Sequence, residues 1–298
     1  MNEMSEIAVA AATANAETAG VSRFPLARRG FFMSSLMTGL TLATTRVEAQ
    51  VIHTDSQGIE AGEVKIPVAG GELPGYYARP LGAGPFPIVL VVEEIFGVHD
   101  YIKDTCRRFA KLGYMAVSPE LYARIADLSK MTDASQIFAQ VISKAPDATV
   151  MTDLDSAVAW AAANKGNPAK LAVTGFCRGG HVTWLYATHN PNLKAAVAWY
   201  GPVAGGTSEI QPKNPIDLAA ELKCPLLGLY GGLDTSIKVD DVQAAAAKAR
   251  AAGKTVEIVV YPDAPHGFHA DYRPSYKAAD AADGWLRLQA WFKKYGVA

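Results

Sequence analysis

The sequence predicts an α/β fold, a doubly wound and mostly parallel β-sheet that follows an N-terminal antiparallel hairpin. Short, continuous apolar runs indicate strands, because parallel strands covered by helices on both faces carry few polar residues. These runs alternate with stretches of helical periodicity, and short turns separate them. Repeated strand-helix units of this kind are typical of one doubly wound domain.

The elements follow in order along the chain. The hairpin is expected from Glu63–Val68 and Leu73–Pro80, which flank Ala69-Gly70-Gly71. Later strands are expected at Pro87–Val92, Met115–Leu121, Leu171–Phe176, Ala195–Tyr200, Leu226–Tyr230 and Val256–Tyr261. Helices are expected at Tyr101–Leu112, Val239–Ala252 and Asp280–Tyr295. The stretch from Ala126 to Met151 is helical but weakly patterned, which favours a lid.

Composition limits the class of protein. Half of the 298 residues are hydrophobic and 19% are charged, so a large core can form. The 28 basic and 29 acidic residues give a net charge of −1, which argues against a nucleic-acid surface. Cys106, Cys177 and Cys224 are too widely spaced for a disulfide framework or a zinc site, so no metal is predicted. Cys106 and Cys224 fall in helix and strand patterns and are interpreted as structural.

The first 49 residues differ from the rest of the chain. Arg28 and Arg29 precede the apolar stretch Phe31–Ala43, which is too short for a membrane span. Small residues before Gln50 suit cleavage after Ala49, and the whole resembles a twin-arginine export signal. The long leader and Ala27 depart from the usual pattern, and a disordered tail or an amphipathic helix is the alternative. We therefore expect one domain over residues 50–298, periplasmic if export machinery uses the signal and cytoplasmic otherwise, with no stable membrane insertion.

One motif stands out. Gly175-Phe176-Cys177-Arg178-Gly179-Gly180 follows an apolar strand and opens a helix, which predicts a sharp turn with a nucleophile at its apex. At a helix N-terminus the macrodipole and free N–H groups favour a thiolate. The alternative is that Cys177 is a small buried apolar residue.

Two further residues suit a thiol nucleophile. Asp234 and His266 each follow a predicted strand, at the sheet edge where open α/β sheets place their ligands. Alone, Asp234 could be a turn former or helix cap, and His266 a solvated loop residue. The order Cys177, Asp234, His266 is that of an α/β-hydrolase triad. In such a triad His266 takes the thiol proton and Asp234 fixes the imidazole tautomer.

The oxyanion donors and a carboxylate pair complete the predicted site. The backbone N–H groups of Arg178 and Ile95 are the expected oxyanion hole. Glu93 and Glu94 end the strand before Ile95, where a buried charge is costly unless it is paired. They could form a surface salt bridge, or one of them could face the thiol.

These motifs together resemble the dienelactone hydrolase family. The resemblance covers about residues 60 to 296, within one domain. It rests on Glu94-Ile95-Phe96-Gly97, Ser118–Arg124, Gly175–Gly180, Tyr200-Gly201, Gly232-Leu233-Asp234 and His266-Gly267-Phe268. It implies a Cys177, His266 and Asp234 triad, and a Glu94 that contacts the resting thiol. It also implies hydrolysis of an enol-lactone ester bond through an acyl-cysteine, with no metal or organic cofactor.

The sequence departs from this family where the substrate is held. Family members specific for dienelactone clamp a substrate carboxylate with two arginines, but Asp127–Lys144 contains no arginine and Ala270 stands four residues after His266. Arg124, Arg178 and Arg273 are possible substitutes, and Arg124, Tyr200 and Phe268 are candidate substrate-binding residues. The prediction is therefore a hydrolase of a small ester or lactone. A binding protein without turnover and a thiol redox role for Cys177 are the alternatives.

Overall fold

An eight-stranded sheet runs through residues 51–298, the part of the chain that the computed structural model describes. The strands are β1 Ile59–Val68, β2 Gly71–Pro80, β3 Phe86–Val92, β4 Met115–Pro119, β5 Gly166–Phe176, β6 Leu193–Trp199, β7 Leu226–Gly231 and β8 Val256–Tyr261. The helices are α1 Asp100–Lys111, α2 Ala134–Gln140, α3 Asp147–Ala163, α4 Arg178–His189, α5 Pro215–Leu218, α6 Val239–Ala251 and α7 Ala278–Lys294. Single 3₁₀ turns lie at Leu128–Lys130, Ile142–Lys144 and Ala219–Glu221. The predicted export signal lies outside the described residues.

The N-terminal hairpin is confirmed and is longer than predicted. β1 pairs antiparallel with β2 from Ile59 opposite Pro80 to Val68 opposite Gly71. Gly70 turns the chain with a φ of 83°, a conformation that favours glycine. β2 also pairs antiparallel with β4, which joins the hairpin to the main sheet.

The rest of the sheet is parallel, and the predicted fold class is confirmed. The strand order is β1-β2-β4-β3-β5-β6-β7-β8, with parallel pairing from β4 through β8. The register places Val92 opposite Gly175 and Phe176 opposite Trp199, so the carboxyl ends of β3, β5 and β6 lie together. Residues that directly follow these strands therefore meet at one edge of the sheet.

Helices cover both faces of the sheet. Phe109 of α1 packs on Trp285 of α7 with ring centroids 4.7 Å apart, which places these two helices on one face. α3 and α4 contact each other and cover the central strands. Across residues 51–298, no helix is both long enough and apolar enough to cross a membrane.

The segment predicted as a lid contains two 3₁₀ turns, a short helix and the start of a longer one. Its first part forms the short helix α2, which Asp133 caps by accepting hydrogen bonds from the Ser135 and Gln136 N–H groups at 2.8 and 3.0 Å. Its end belongs to α3, the crossover helix between β4 and β5, which extends to Ala163. The alanines of α3 stand at buried positions, Ala157 and Ala161, and at exposed ones such as Ala148 and Ala159, so its sequence shows little contrast between a buried and an exposed side.

Candidate active site

Cys177 occupies a strained turn between β5 and α4. Its backbone has φ 54° and ψ −115°, which a residue with a side chain rarely adopts. Its N–H donates to the Trp199 carbonyl at 3.0 Å, and its own carbonyl accepts from the Gly180 N–H at 2.9 Å. The turn is therefore fixed by hydrogen bonds from both sides. We call residues 175–180 the elbow.

The glycines of the elbow are required by close packing. A Cβ on Gly175 would lie 2.3 Å from the Gly179 carbonyl oxygen, and a Cβ on Gly179 would lie 2.3 Å from that of Val92. No real side chain tolerates such distances, so only glycine fits at either position. The start of α4 therefore packs directly against the end of β3, and Glu94 and Ile95 follow that strand.

His266 and Asp234 form a buried pair beside the elbow. The His266 Nδ1 lies 2.6 Å from Asp234 Oδ2, and both side chains are almost fully buried. Asp234 Oδ1 accepts hydrogen bonds from the Ser236 N–H, the Ser236 hydroxyl and the Ile237 N–H at 2.8, 2.6 and 3.2 Å. These donors fix the carboxylate, so its other oxygen is held toward the imidazole.

Electrostatics favour a charged imidazole at this position. Burial lowers the pKa of His266, but the charges of Asp234 and then Cys177 outweigh burial and raise the pKa to about 10. The imidazole also interacts with the Cys177 side chain, which helps to raise the pKa through both its charge and a hydrogen bond. A histidine whose Nδ1 is held by a carboxylate, which leaves Nε2 for a thiol, can exchange a proton with that thiol.

Glu94 lies in a second buried cluster near the thiol. Its Oε1 accepts a hydrogen bond from Arg273 Nη2 at 2.9 Å, and its Oε2 accepts from the Tyr272 hydroxyl at 2.6 Å, with His99 Nε2 at 3.3 Å. Burial raises the pKa of Glu94, but Arg273 and His99 outweigh it and lower the pKa to about 2. The surface salt bridge considered for this carboxylate is therefore ruled out, because Glu94 is completely buried. Its contact with the thiol stays a prediction.

Glu93 is also buried rather than exposed. Its Oε1 accepts a hydrogen bond from the Leu121 N–H at 2.8 Å. Burial and the neighbouring charge of Glu120 raise the pKa of Glu93 well above its usual value. Glu93 thus links the end of β3 to the end of β4 and does not form a surface salt bridge.

The two predicted oxyanion donors are brought to the same place. Arg178 is the first residue of α4, where backbone N–H groups have no partner within the helix. Ile95 is buried three residues after the end of β3, and Gly179 packs against the carbonyls of Val92 and Glu93. The arrangement suits a pair of donors beside Cys177, and their function as an oxyanion hole stays a prediction.

The three candidate substrate-binding residues lie in different surroundings. Arg124 forms a two-pronged ion pair with Asp153, with Nη1 and Nη2 at 2.5 and 2.6 Å from its oxygens. Tyr200 is buried beside the catalytic candidates, its ring centroid 5.2 Å from that of His266. Phe268 is fully buried among aromatic rings of the core. Tyr200 therefore contacts the imidazole of the candidate triad.

Sequence reasoning missed the partners of Glu94. Tyr272 and His99 follow no motif and lie far apart in the chain, and only the fold brings them to one carboxylate. Arg273 was considered only as a clamp for the substrate, yet it pairs with Glu94. No pattern in the sequence reveals these partners of Glu94, because they are brought together only by contacts between distant loops.

A cavity of about 240 Å³ lies beside the elbow. Arg178, His181 and Ser236 line it, together with residues of the loop after β6 and Phe138 of α2. His181, one turn into α4, therefore faces this cavity. Cys106 and Cys224 are buried in the core, as predicted.

The sheet, the elbow and the buried His-Asp pair define an α/β-hydrolase. The chain belongs to the dienelactone hydrolase family, whose model matches residues 73–296, and it is an ester or lactone hydrolase. It is 58% identical over 275 residues to a Methylorubrum extorquens protein named "Putative carboxymethylenebutenolidase", covering 92% of this chain and 94% of the relative. An Escherichia coli K12 protein of the same name is 49% identical over 259 residues, covering 87% and 96%.

A solved structure of a similarly named protein also superposes on this chain. The crystal structure of a Klebsiella pneumoniae protein named "Putative Dienelactone Hydrolase" superposes with a TM-score of 0.78 at 53% identity. The match covers 80% of this chain and 99% of that one. A Pyrococcus horikoshii acylaminoacyl peptidase, 17% identical with a TM-score of 0.65, shares the fold alone.

Proposed function

We propose that this protein cleaves a carboxylic ester or lactone bond through an acyl-cysteine intermediate on Cys177. The observation that carries the proposal is the strained Cys177 beside a His266 whose Nδ1 is 2.6 Å from Asp234. A lone buried cysteine needs no such neighbours. A nucleophile needs all of them, because a base must take its proton and an acid must orient that base.

The proposed reaction has two halves. His266 takes the proton of the Cys177 thiol, the thiolate attacks the carbonyl carbon, the C–O bond breaks, and His266 gives that proton to the leaving alkoxide. A water molecule then transfers a proton to His266 as its oxygen attacks the thioester carbonyl. The C–S bond breaks to release the acid, and His266 returns its proton to the sulfur, which regenerates the thiol. The N–H groups of Arg178 and Ile95 stabilise the oxyanion formed in each half. Asp234 stays ionised, and its negative charge stabilises the imidazolium.

The substrate is proposed to be a small ester or lactone. The relatives' name, carboxymethylenebutenolidase, favours an enol-lactone, and the cavity of about 240 Å³ suits a small molecule. The two-arginine clamp of dienelactone-specific members has no counterpart at the expected positions. Arg273, which lies three residues after the expected position 270, instead donates a hydrogen bond to Glu94 at 2.9 Å. A lactone panel is therefore a better test than dienelactone alone.

The central test compares three variants on lactones and short 4-nitrophenyl esters. We expect Cys177→Ala to abolish turnover and Cys177→Ser to lose most of it, since a serine hydroxyl is far less acidic. Cys224→Ala is the matched control, because it removes a buried thiol that lies outside the site.

Undiminished turnover in Cys177→Ala would refute the acyl-cysteine mechanism. Ligands that raise the melting temperature without any product would instead support a binding protein. Trapping the acyl-enzyme after a substrate pulse and weighing it by mass spectrometry gives direct evidence for the intermediate. The added mass is expected on the peptide that contains Cys177.

We also propose that residues 1–49 direct export to the periplasm. The proposal rests on Arg28 and Arg29 before an apolar stretch, and this segment lies outside the described residues. Mass spectrometry of the exported protein should find an N-terminus near Gln50. An Arg28→Lys/Arg29→Lys variant should accumulate in the cytoplasm, and unchanged export of that variant would contradict the twin-arginine route.

A further inference from the structure

Glu93 and Glu120 directly follow two neighbouring strands, and the proposed reaction gives neither of them a function. Leu90 of β3 lies opposite Val117 of β4 in a parallel pairing. Three residues further along each strand, the same register brings Glu93 opposite Glu120. Glu93 is completely buried and Glu120 is half-buried. Two carboxyl groups therefore meet at the edge of the sheet where the elbow lies.

The contact between these carboxyl groups needs a proton. Glu93 Oε1 accepts a hydrogen bond from the Leu121 N–H at 2.8 Å, whereas its Oε2 is buried and no described residue donates to it. Glu120 lies within hydrogen-bond reach of Glu93. Two ionised carboxylates can only accept, so this hydrogen bond forms only if one carboxyl group keeps its proton. Burial and the charge of Glu120 raise the pKa of Glu93 well above its usual value, so Glu93 is the donor.

The charged groups around the pair do not replace that proton. Lys103 and Glu63 face Glu120, but they pair with each other at the surface, with Nζ 2.6 Å from Oε1. Tyr122 faces Glu93, and burial raises the pKa of this phenol to about 12, so it stays neutral. Among residues 51–298, no cation forms an ion pair with Glu93. A second negative charge in the pair would therefore have no partner.

The pair is attached to both ends of residues 93–98, which we call the β3 loop. Glu93 is the first residue of this loop. At the other end, the Val98 N–H donates to Glu120 Oε1 at 3.1 Å, and a Cβ on Gly97 would lie 3.0 Å from Glu120 Oε2. The loop carries the predicted thiol-contacting carboxylate and one predicted oxyanion donor. Separation of the two carboxyl groups would therefore displace both.

We propose that Glu93 is a positioning residue, and that the proton it shares with Glu120 holds Glu94 and Ile95 of the β3 loop where catalysis needs them. Without that proton, two like charges would face each other away from water and repel. Glu93 acts through the loop and contacts neither the substrate nor the reacting atoms. The inference rests on the proposed ester hydrolysis and adds a buried acid that no step of that reaction uses.

Infrared spectroscopy detects the proton itself. The difference spectrum of wild type minus Glu93→Gln at neutral pH should contain the C=O band of a protonated carboxyl group, which an ionised carboxylate lacks. Glu257→Gln is the matched control, because it removes an exposed glutamate of β8, and its difference spectrum should lack that band. The measurement does not depend on turnover. Absence of the acid band from wild type minus Glu93→Gln overturns the inference.

The pH dependence of stability tests the same proton. Unfolded Glu93 ionises above its ordinary pKa of 4.5, whereas folded Glu93 has a pKa well above that value and keeps its proton. The stability that depends on this group is therefore fully present below the ordinary pKa and declines above it, until the folded group ionises too. Glu93→Gln has no such proton. The ratio of the two unfolding equilibrium constants should therefore change about tenfold per pH unit over that range, in favour of the variant. Urea unfolding measures this ratio, and a ratio independent of pH overturns the inference.

Kinetics test whether the proton positions the β3 loop. The amide introduced by Glu93→Gln can donate to Glu120 and accept from the Leu121 N–H, so this variant should retain most of kcat. Glu93→Met can do neither. Its kcat should fall roughly tenfold or more, with a smaller change in KM, because the oxyanion donor is displaced. Glu120→Met breaks the same contact from its half-buried side and is used if Glu93→Met does not fold.

The two proposals fail in different ways. Equal kcat in folded Glu93→Met and Glu93→Gln overturns the positioning of the loop and leaves the proposed function standing. A wild type that hydrolyses none of the esters, like Cys177→Ala, counts against the proposed function instead. The infrared and unfolding measurements still decide in that case whether Glu93 holds a proton.

Discussion

Two buried ion pairs lie near Cys177, and they differ in what they can do. His266 and Asp234 are 2.6 Å apart, and Glu94 and Arg273 are 2.9 Å apart. The imidazole of His266 can release its proton near neutral pH when its surroundings change, whereas a guanidinium keeps its proton throughout. The first pair can therefore take part in proton transfer, and the second can only set the electric field around the thiol.

The pairs also differ in what holds them. Asp234 is fixed by two backbone N–H groups and one hydroxyl. Glu94 is held by side chains alone, those of Arg273, Tyr272 and His99. Backbone donors are fixed by the fold, whereas side-chain donors can change rotamer. The Glu94 cluster is thus the more adjustable of the two, and the variants below test both differences.

The largest expected effect follows from removing the exchangeable proton. His266→Gln keeps a polar side chain but cannot act as a base, so kcat/KM should fall roughly 100- to 10,000-fold. His189→Gln is the matched control, because His189 forms the same kind of pair with Asp155 at 2.6 Å on the surface. Steady-state kinetics on one ester checks both variants. Equal losses in the two would contradict a special function for His266.

The next effect tests the Glu94–Arg273 pair through stability. Arg273→Met leaves Glu94 charged and completely buried without its partner, which should destabilise the fold by about 3–5 kcal/mol. Adding Glu94→Gln removes the uncompensated charge, so the double variant should recover much of that loss. Urea unfolding of the three proteins measures both quantities. A double variant as unstable as Arg273→Met would show that packing, not charge, dominates here.

The pH dependence of stability distinguishes the pairs again. The folded-state pKa of His266 is raised to about 10, so its charged form stabilises the fold fully below its ordinary pKa of about 6.5. That contribution declines as pH rises from there and is lost above about 10. The difference in melting temperature between wild type and His266→Gln should therefore shrink steadily between pH 7 and pH 10. A difference that grows over this range would contradict the raised pKa.

Much of the fold could be predicted from the sequence because its strands are short apolar runs. Pro87–Val92 and Leu226–Tyr230 match β3 and β7 within a residue, since buried parallel strands leave no polar residues to blur the pattern. α3 was not recognised, because its alanines give the same signal on each side. Because Cys177, Asp234 and His266 each follow one of these strands, they could also be predicted to lie at one edge of the sheet.

The surroundings of the site could not be predicted in the same way. Glu94 follows a strand end as expected, but its partners Arg273 and Tyr272 come from a loop almost 180 residues later. The sequence gives no distance between such loops. The same holds for Arg178, whose backbone position was predicted from the turn and whose buried side chain, 3.5 Å from Asp147, was not.

The smallest expected effect tests how firmly the backbone holds Asp234. Ser236→Ala removes one hydroxyl donor at 2.6 Å but leaves the N–H groups of residues 236 and 237 in place, so kcat/KM should fall only a few-fold and stability by roughly 0.5–1.5 kcal/mol. Tyr272→Phe makes the matching change beside Glu94. It removes the donor to Oε2 and also the acceptor of the Arg273 Nε–H at 2.8 Å, so two buried groups lose a partner and the loss of stability should be larger. Urea unfolding of both variants ranks them. If Ser236→Ala proved the more harmful, the carboxylate of Asp234 would depend on its side-chain donor, and the contrast between a backbone-held and a side-chain-held pair would be wrong.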